Sequence, residues 1–200
     1  MQDPLSDSRP ALAPVPARLD APELVFVWDW PLRACHWALA FFVTLAWFTP
    51  NTWDGLHRFA GYTVLGLIVF RLGWGFLGSR YSRFRTLRRR LRAMPQYLGD
   101  LRQGKTGRYL GLNPAGAAML VALLLLLAIS TITGWMQVTA RFFGVWWVED
   151  THAYSSDAIM VLALLHVVGV LWMAARQREN LVRAMITGWK RRHAARRQPD

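Results

Sequence analysis

Cysteine is almost missing from this chain. Among 200 residues there is one, Cys35, so an intrachain disulfide is excluded. Acidic side chains are scarce as well: 12 Asp and Glu stand against 24 Lys and Arg, a net charge of +12. Such a balance suits nucleic acid, but the basic residues come in blocks between long apolar runs and not on one folded face, so nucleic-acid binding is set aside. The first 23 residues, rich in Pro, Ala, Ser and Asp, lack the basic start, apolar core and small-residue cleavage site of a secretory signal. They are expected to form a cytoplasmic tail without fixed structure.

What the chain has in excess is apolar surface. Hydrophobic residues make up 54% of it, and eleven Trp are among them. Long apolar segments alternating with basic connectors describe a protein that crosses a membrane several times. The first segment, about 31–49, opens at Pro31, a residue suited to the first turn of a helix, and ends before Pro50. At that length it just spans the hydrocarbon core. The second covers about 55–78, the third about 114–136 after the capping pair Asn113-Pro114, and the fourth about 152–175. The expected fold is all-α, an integral membrane four-helix bundle over residues 24–193, followed by a basic tail 194–200. The basic segments 81–108 and 179–192 carry apolar residues at helical spacing, such as Leu181, Val182, Met185, Ile186 and Trp189. Both are expected to lie on membrane lipid as amphipathic interfacial helices.

Orientation follows from the distribution of Lys and Arg. Arg80 to Arg108 holds ten, the chain from Arg176 onward eight, and the N-terminal flank adds Arg9, Arg18 and Arg33. The connector 50–57 has none and 137–151 only Arg141. Basic loops stay in the cytoplasm, so both termini and the long connector are expected on the cytoplasmic side of a bacterial inner membrane. Trp53, Phe142, Phe143, Trp146 and Trp147 then form an outer aromatic belt, with Trp28, Trp30 and Trp74 near the inner boundary.

Each histidine thereby acquires a depth. His152 and His166, read as the only metal-binding side chains in the apolar interior of the fourth segment, are fourteen residues apart. Fourteen steps of about 100° return to within about 40° of the starting face, roughly 21 Å away. His36 lies about one and a half turns into the first helix from the cytoplasmic side, and His57 at the outer start of the second. The four divide into an inner pair, His36 with His166, and an outer pair, His57 with His152. His193, among Lys190, Arg191, Arg192, Arg196 and Arg197, is read as a solvated tail residue.

Ionisable residues are costly inside a membrane and default to function there. Imidazole suits iron, and helical bundles build cofactor sites from facing helices, so each pair is expected to hold one haem iron. No C-x-x-C-H run exists to attach a haem covalently, so both are expected to be haem b. Gly61, Leu65 and Gly66 after His57, and Ser155, Ser156, Ala163 and Gly169 beside the fourth-helix histidines, leave room for a macrocycle. Small residues equally let membrane helices approach one another. Arg71, fourteen residues after His57, lies at inner depth, where two roles fit it: pairing with an inner haem propionate, or snorkelling to the headgroups. Arg33 suits an inner propionate and Arg58 an outer one.

Several runs carry a resemblance: V-F-V-W-D-W-P-L-R-A-C-H-W, L-H-R-F-A-G-Y, F-R-L-G-W-G-F-L-G-S-R-Y-S-R-F, L-G-L-N-P-A-G, L-L-H-V-V-G-V and E-N-L-V-R-A-M-I-T-G-W-K-R. Together, from about Glu23 to Arg192, they resemble the prokaryotic cytochrome b561 family, which includes the b-type cytochrome subunits of nickel-iron hydrogenases. The resemblance implies a four-helix membrane cytochrome with two haem b groups ligated by His36, His57, His152 and His166. Leu112 and Ala153 depart from it, standing where relatives often have His and Glu. An iron with imidazole on both faces has no open position, so the expected function is single-electron transfer. The expected partners are a periplasmic cytochrome or dehydrogenase subunit and a quinone, with ubiquinone as a second cofactor. Glu149, Asp150 and Asp54 suit docking of a basic partner and equally suit solvated turns. Two other classes stay open: a stand-alone oxidoreductase passing electrons from superoxide or a small reductant to ubiquinone, and a haem-free membrane transporter or scaffold.

Overall fold

A computed structural model describes residues 23–50, 53–105 and 109–192. The expected tails, with Arg9, Arg18 and His193, lie outside the described residues. The elements are β1 (Glu23–Phe26), α1 (Trp30–Phe48), α2 (Asp54–Leu77), α3 (Phe84–Arg92), α4 (Met94–Arg102), α5 (Pro114–Gln137), α6 (Trp146–Gln177), α7 (Leu181–Thr187) and β2 (Trp189–Arg192). Four of them, α1, α2, α5 and α6, are long and apolar enough to cross a membrane. In this multi-pass bundle α1 packs on α2, α2 on α5, and α5 on α6.

Local chemistry starts these helices where the sequence suggests. Asp29 caps α1 by accepting from the Leu32 N–H at 2.9 Å, two residues before Pro31. Asn113 caps α5 by accepting from the Gly116 N–H at 2.6 Å, ahead of Pro114. Each cap supplies an acceptor to an N–H that has no partner within its helix. Inside the spans, the hydroxyls of Thr44, Thr63, Thr131 and Thr133 donate to carbonyls one turn back, at 2.7 to 2.8 Å. Hydrocarbon offers no partner, so such internal satisfaction is what lets a hydroxyl sit there. The core is a cluster of Val64, Ile68, Leu127 and Ile159, with Leu39, Phe42, Val43 and Leu126 packed against it. Large apolar side chains point outward as well, among them Phe76, Leu77 and Leu164, which is the surface a lipid-facing bundle requires.

Two segments differ from the expectation. The fourth span begins at Trp146 and not near residue 152, so His152 sits a turn and a half inside α6. The added turns are anchored by fully buried Val148, and Glu149 in the first turn favours the helix dipole. The stretch 179–192 is not one interfacial helix. It runs as α7 only to Thr187, because Gly188 adopts a left-handed φ of 87°. A Cβ there would stand 2.7 Å from the Phe26 ring and the Trp28 carbonyl. Beyond it β2 pairs antiparallel with β1, Phe26 opposite Trp189 and Leu24 opposite Arg191. The N–H groups of Val27 and Trp28 donate to the Gly188 carbonyl at 2.9 and 3.2 Å.

The basic connector folds as α3 and α4. On α3, Leu87 is buried and the Phe84 ring meets Phe76 of α2 edge-on at 5.0 Å. Arg85, Arg88, Arg89 and Arg92 are exposed at i, i+3, i+4 and i+7, one stripe of positive charge on the opposite side.

At the same basic end Asp29 joins three pieces of chain. Besides capping α1, its carboxylate accepts from Trp74 Nε1 of α2 at 3.0 Å and from the Ser82 hydroxyl ahead of α3 at 3.2 Å. Burial raises the pKa of this carboxyl, but hydrogen bonds from Ser79, the Leu32 N–H, Trp74 and Ser82 outweigh it and leave the group below its ordinary value. A folded-state pKa below the unfolded one contributes stability above about pH 3.9, lost as pH falls through the folded value. Thermal unfolding in detergent is therefore expected to occur at lower temperature as pH drops below about 4, and Asp29→Asn should flatten that acid dependence while keeping the cap. An Asp29→Asn chain with the wild-type acid profile would contradict the assignment. Asp29→Ala should cost about 1 kcal/mol at neutral pH through the cap alone.

Candidate functional site

The structure brings the four span histidines together two by two. His36 of α1 faces His166 of α6 with ring centroids 6.2 Å apart and planes at 62°. His57 of α2 faces His152 of α6 at 6.1 Å and 83°. The apolar cluster of Val64, Ile68, Leu127 and Ile159 lies between the two levels, Ile159 being seven residues from either α6 histidine. The shared helix α6 thus contributes one ring to each level.

The unshared nitrogens of the second pair are already engaged. The Nδ1 of His57 is 2.9 Å from the Ala46 carbonyl, and the Nδ1 of His152 is 2.8 Å from the Ser130 carbonyl. A carbonyl can only accept, so Nδ1 carries the proton in both rings and Nε2 keeps its lone pair. Ser130 also pairs its hydroxyl with that of Ser156 at 3.0 Å, which ties α5 to α6 beside the ring. Gly134 leaves room for His152, since a Cβ there would stand 2.9 Å from the ring. Backbone acceptors such as Ala46 and Ser130 have no side-chain signature, so nothing in the sequence marks them.

A cavity of about 400 Å³ opens at this level between all four long helices. Ala46 and Trp47 of α1, His57 and Gly61 of α2, Ser130 and Gly134 of α5, and His152 and Ser156 of α6 contribute to its wall. A Cβ added at Gly61 would meet no protein atom within 4 Å. Asp157 also lines the cavity. The sequence reading counted only the two histidines as metal-binding groups in this span. Asp157 adds a carboxylate, whose signal is its place one turn after Ala153, beside Ser155 and Ser156 and at the start of a long apolar run.

The three arginines fall at the expected ends with different surroundings. Arg71 is 5% exposed and turns into the basic end of the bundle, its Nη1 3.5 Å from the Ser82 carbonyl. Arg33 donates from Nη1 to the Ile186 carbonyl, linking α1 to α7, and its buried Nε has no partner among the described residues. Arg58 is exposed at the far end, pairs with Asp54 at 2.5 Å, and borders the cavity.

The donor set can be tested against a metal group. Among the described residues no three His, Cys, Asp or Glu side chains converge, so a bare ion has no multi-ligand site. Two imidazoles facing across a gap fit a metal that brings its remaining ligands with it, as haem iron does. Nitrogens about 2 Å from a central metal place opposed imidazole centroids about 6.3 Å apart, against 6.2 and 6.1 Å here. The residues present fit the group.

Comparison with known proteins gives the same direction. Residues 27–188 match the family model described as prokaryotic cytochrome b561. A probable Ni/Fe-hydrogenase B-type cytochrome subunit of Bradyrhizobium diazoefficiens is 24% identical, over 92% of this chain and 95% of its own length. A protein of the same description from Rhodobacter capsulatus is 25% identical, over 82% of this chain and 80% of its own. The matched span begins at Val27 and ends at Gly188, the two residues joined by a backbone hydrogen bond, and it contains all four membrane helices and all four paired histidines. The chain belongs to the prokaryotic cytochrome b561 family of membrane-embedded b-type cytochromes, which transfer electrons.

Proposed function

We propose that this cytochrome passes single electrons across the bacterial inner membrane between a donor at its outer face and the quinone pool, using two haem b groups. His36 and His166 hold one, His57 and His152 the other. The observation that carries this reading is the pair of ring separations, 6.2 and 6.1 Å, each set by two different helices. Bound there, haem supplies one-electron chemistry at an iron with no open position.

The chain's own residues do the rest. The carbonyls of Ala46 and Ser130 hold the rings of His57 and His152 in one tautomer and strengthen them as donors. The apolar layer around Ile159 keeps water from the space between the two levels. Arg71 and Arg33 supply cations to the carboxylates of the inner group, and Arg58 to those of the outer group. The arginine stripe of α3 favours a cytoplasmic position against anionic lipid, which puts His57 and His152 toward the periplasm. Both relatives are described as hydrogenase cytochrome subunits, which supports an enzyme subunit as the electron partner. In the proposed reading that subunit is the donor on the periplasmic side and ubiquinone is the acceptor. Exposed Asp54, Glu149 and Asp150 give such a partner an acidic surface at the outer end.

Purified protein should contain two haem b per chain by pyridine haemochrome assay, with reduced spectra of six-coordinate low-spin iron. His36→Ala and His166→Ala should abolish the same spectral component, and His57→Ala and His152→Ala the other. A single haem, or partners that remove different components, would sink the pairing. Gly61→Leu provides a separate test, because position 61 lines the cavity and a side chain there meets no protein atom nearby. The variant should keep its helical content and thermal stability without haem while losing the outer haem, with affinity reduced tenfold or more. Full retention of both haems would mean that the cavity is not a haem site.

A further inference from the structure

Ala46 and His57 belong to adjacent helices joined by a short turn, and the hydrogen bond between them has an origin in the covalent chemistry of residue 50. In a continuing α-helix the Ala46 carbonyl would accept the N–H of residue 50. Residue 50 is proline and has no N–H. The Thr49 N–H reaches the carbonyl only at 3.3 Å, and the Thr49 hydroxyl favours the Leu45 carbonyl, at 2.7 Å against 3.4 Å to Ala46. Among the described residues the shortest hydrogen bond to the Ala46 oxygen is from His57 Nδ1, at 2.9 Å. The corresponding acceptor for His152, the Ser130 carbonyl, lies in mid-helix, and the residue four further on, Gly134, retains its N–H.

We infer that Pro50 is a positioning residue for His57: by withholding a backbone donor it reserves the Ala46 carbonyl for the imidazole, which fixes the ring with Nδ1 protonated and Nε2 directed at His152. The inference rests on the proposed role of His57 as a haem ligand and extends it from the ring to the residue that orients it. A ring whose far N–H is hydrogen-bonded to a carbonyl is a stronger electron donor to a metal. It therefore stabilises the oxidised iron and holds the potential of that one haem down. An N–H restored at position 50 competes for the same oxygen and weakens this effect.

The test is equilibrium redox titration, with low-spin electron paramagnetic resonance, of the full-length haem-loaded protein carrying Pro50→Ala. The potential of the haem that His57→Ala removes should rise, by about tenfold in the reduction equilibrium or 59 mV for a one-electron couple, while the other stays in place. Replacing Pro50 by lactate, the α-hydroxy counterpart of alanine, removes the N–H again through a backbone ester and should restore the wild-type value. Two unmoved potentials, two that move together, or an ester variant that behaves like Pro50→Ala would overturn the inference. Should Pro50→Ala lose the outer haem outright, its retention in the ester variant supports the inference and its loss in both overturns it. A wild-type chain without an outer haem would sink the functional reading instead. The ¹⁵N–H signal of His57 Nδ1 then reads the hydrogen bond directly: a shift toward a weaker hydrogen bond in Pro50→Ala that the ester variant reverses supports the inference, and an unchanged shift overturns it.

Discussion

Hydrocarbon supplies no hydrogen-bond partner, and the hydroxyls and imidazoles described inside this bundle are arranged under that constraint. An imidazole is the hardest case, having two nitrogens on opposite sides of one ring. In His57 and His152 the problem is divided: Nδ1 is satisfied by a carbonyl of a neighbouring helix, and Nε2 is left for whatever lies between the facing rings. The same rule governs the threonines that return their hydroxyls to carbonyls one turn back, and the Ser130–Ser156 pair beside the cavity. The Ser130 carbonyl serves its ring from mid-helix with a second lone pair, whereas the Ala46 carbonyl lies in the last turn of α1, so the residues that end a helix also acquire a chemical role.

The two ends of the bundle are built differently. At the basic end Asp29, Trp74, Ser82 and buried Arg71 form a polar closure over α1 and α2, and the β1–β2 ribbon clasps the chain just before α1 to the chain just after α7. At the far end the connectors are short, and α6 extends more than a turn beyond His152. A long α6 lets one rigid element hold both histidine levels in fixed register, which two separate helices joined by a loop would not do.

Much of this was legible in the sequence, for physical reasons. The four spans stand out because a bilayer demands about twenty apolar residues in a row, and the boundaries at Asp29-Trp30-Pro31 and Asn113-Pro114 are written in capping chemistry. The partition of histidines by depth needed only helix rise and charge counting. What was not legible depends on three dimensions. Trp189 continues the helical spacing of Leu181 and Met185, and only the left-handed turn at Gly188 diverts it into a strand. The burial of Arg71 beneath the Ser82 carbonyl depends on the turn between α2 and α3, which spacing alone does not draw. Asp157 is a single carboxylate, and the long apolar run that follows it hides it from any averaged profile. The carbonyls behind His57 and His152 are backbone atoms, identical in every residue.

The apolar layer of Val64, Ile68, Leu127 and Ile159 has an electrical consequence. It separates the two histidine levels by a rise of roughly 21 Å along α6, out of a hydrocarbon thickness of about 30 Å. With no polar side chain in that cluster to carry counter-charge, a charge moved from one level to the other crosses about two-thirds of the membrane voltage unaccompanied. Each 100 mV then acts on it with roughly 1.6 kcal/mol. With the proposed haems at the two levels, the layer would act as the dielectric of a capacitor between them, and the energisation of the membrane would enter their equilibrium.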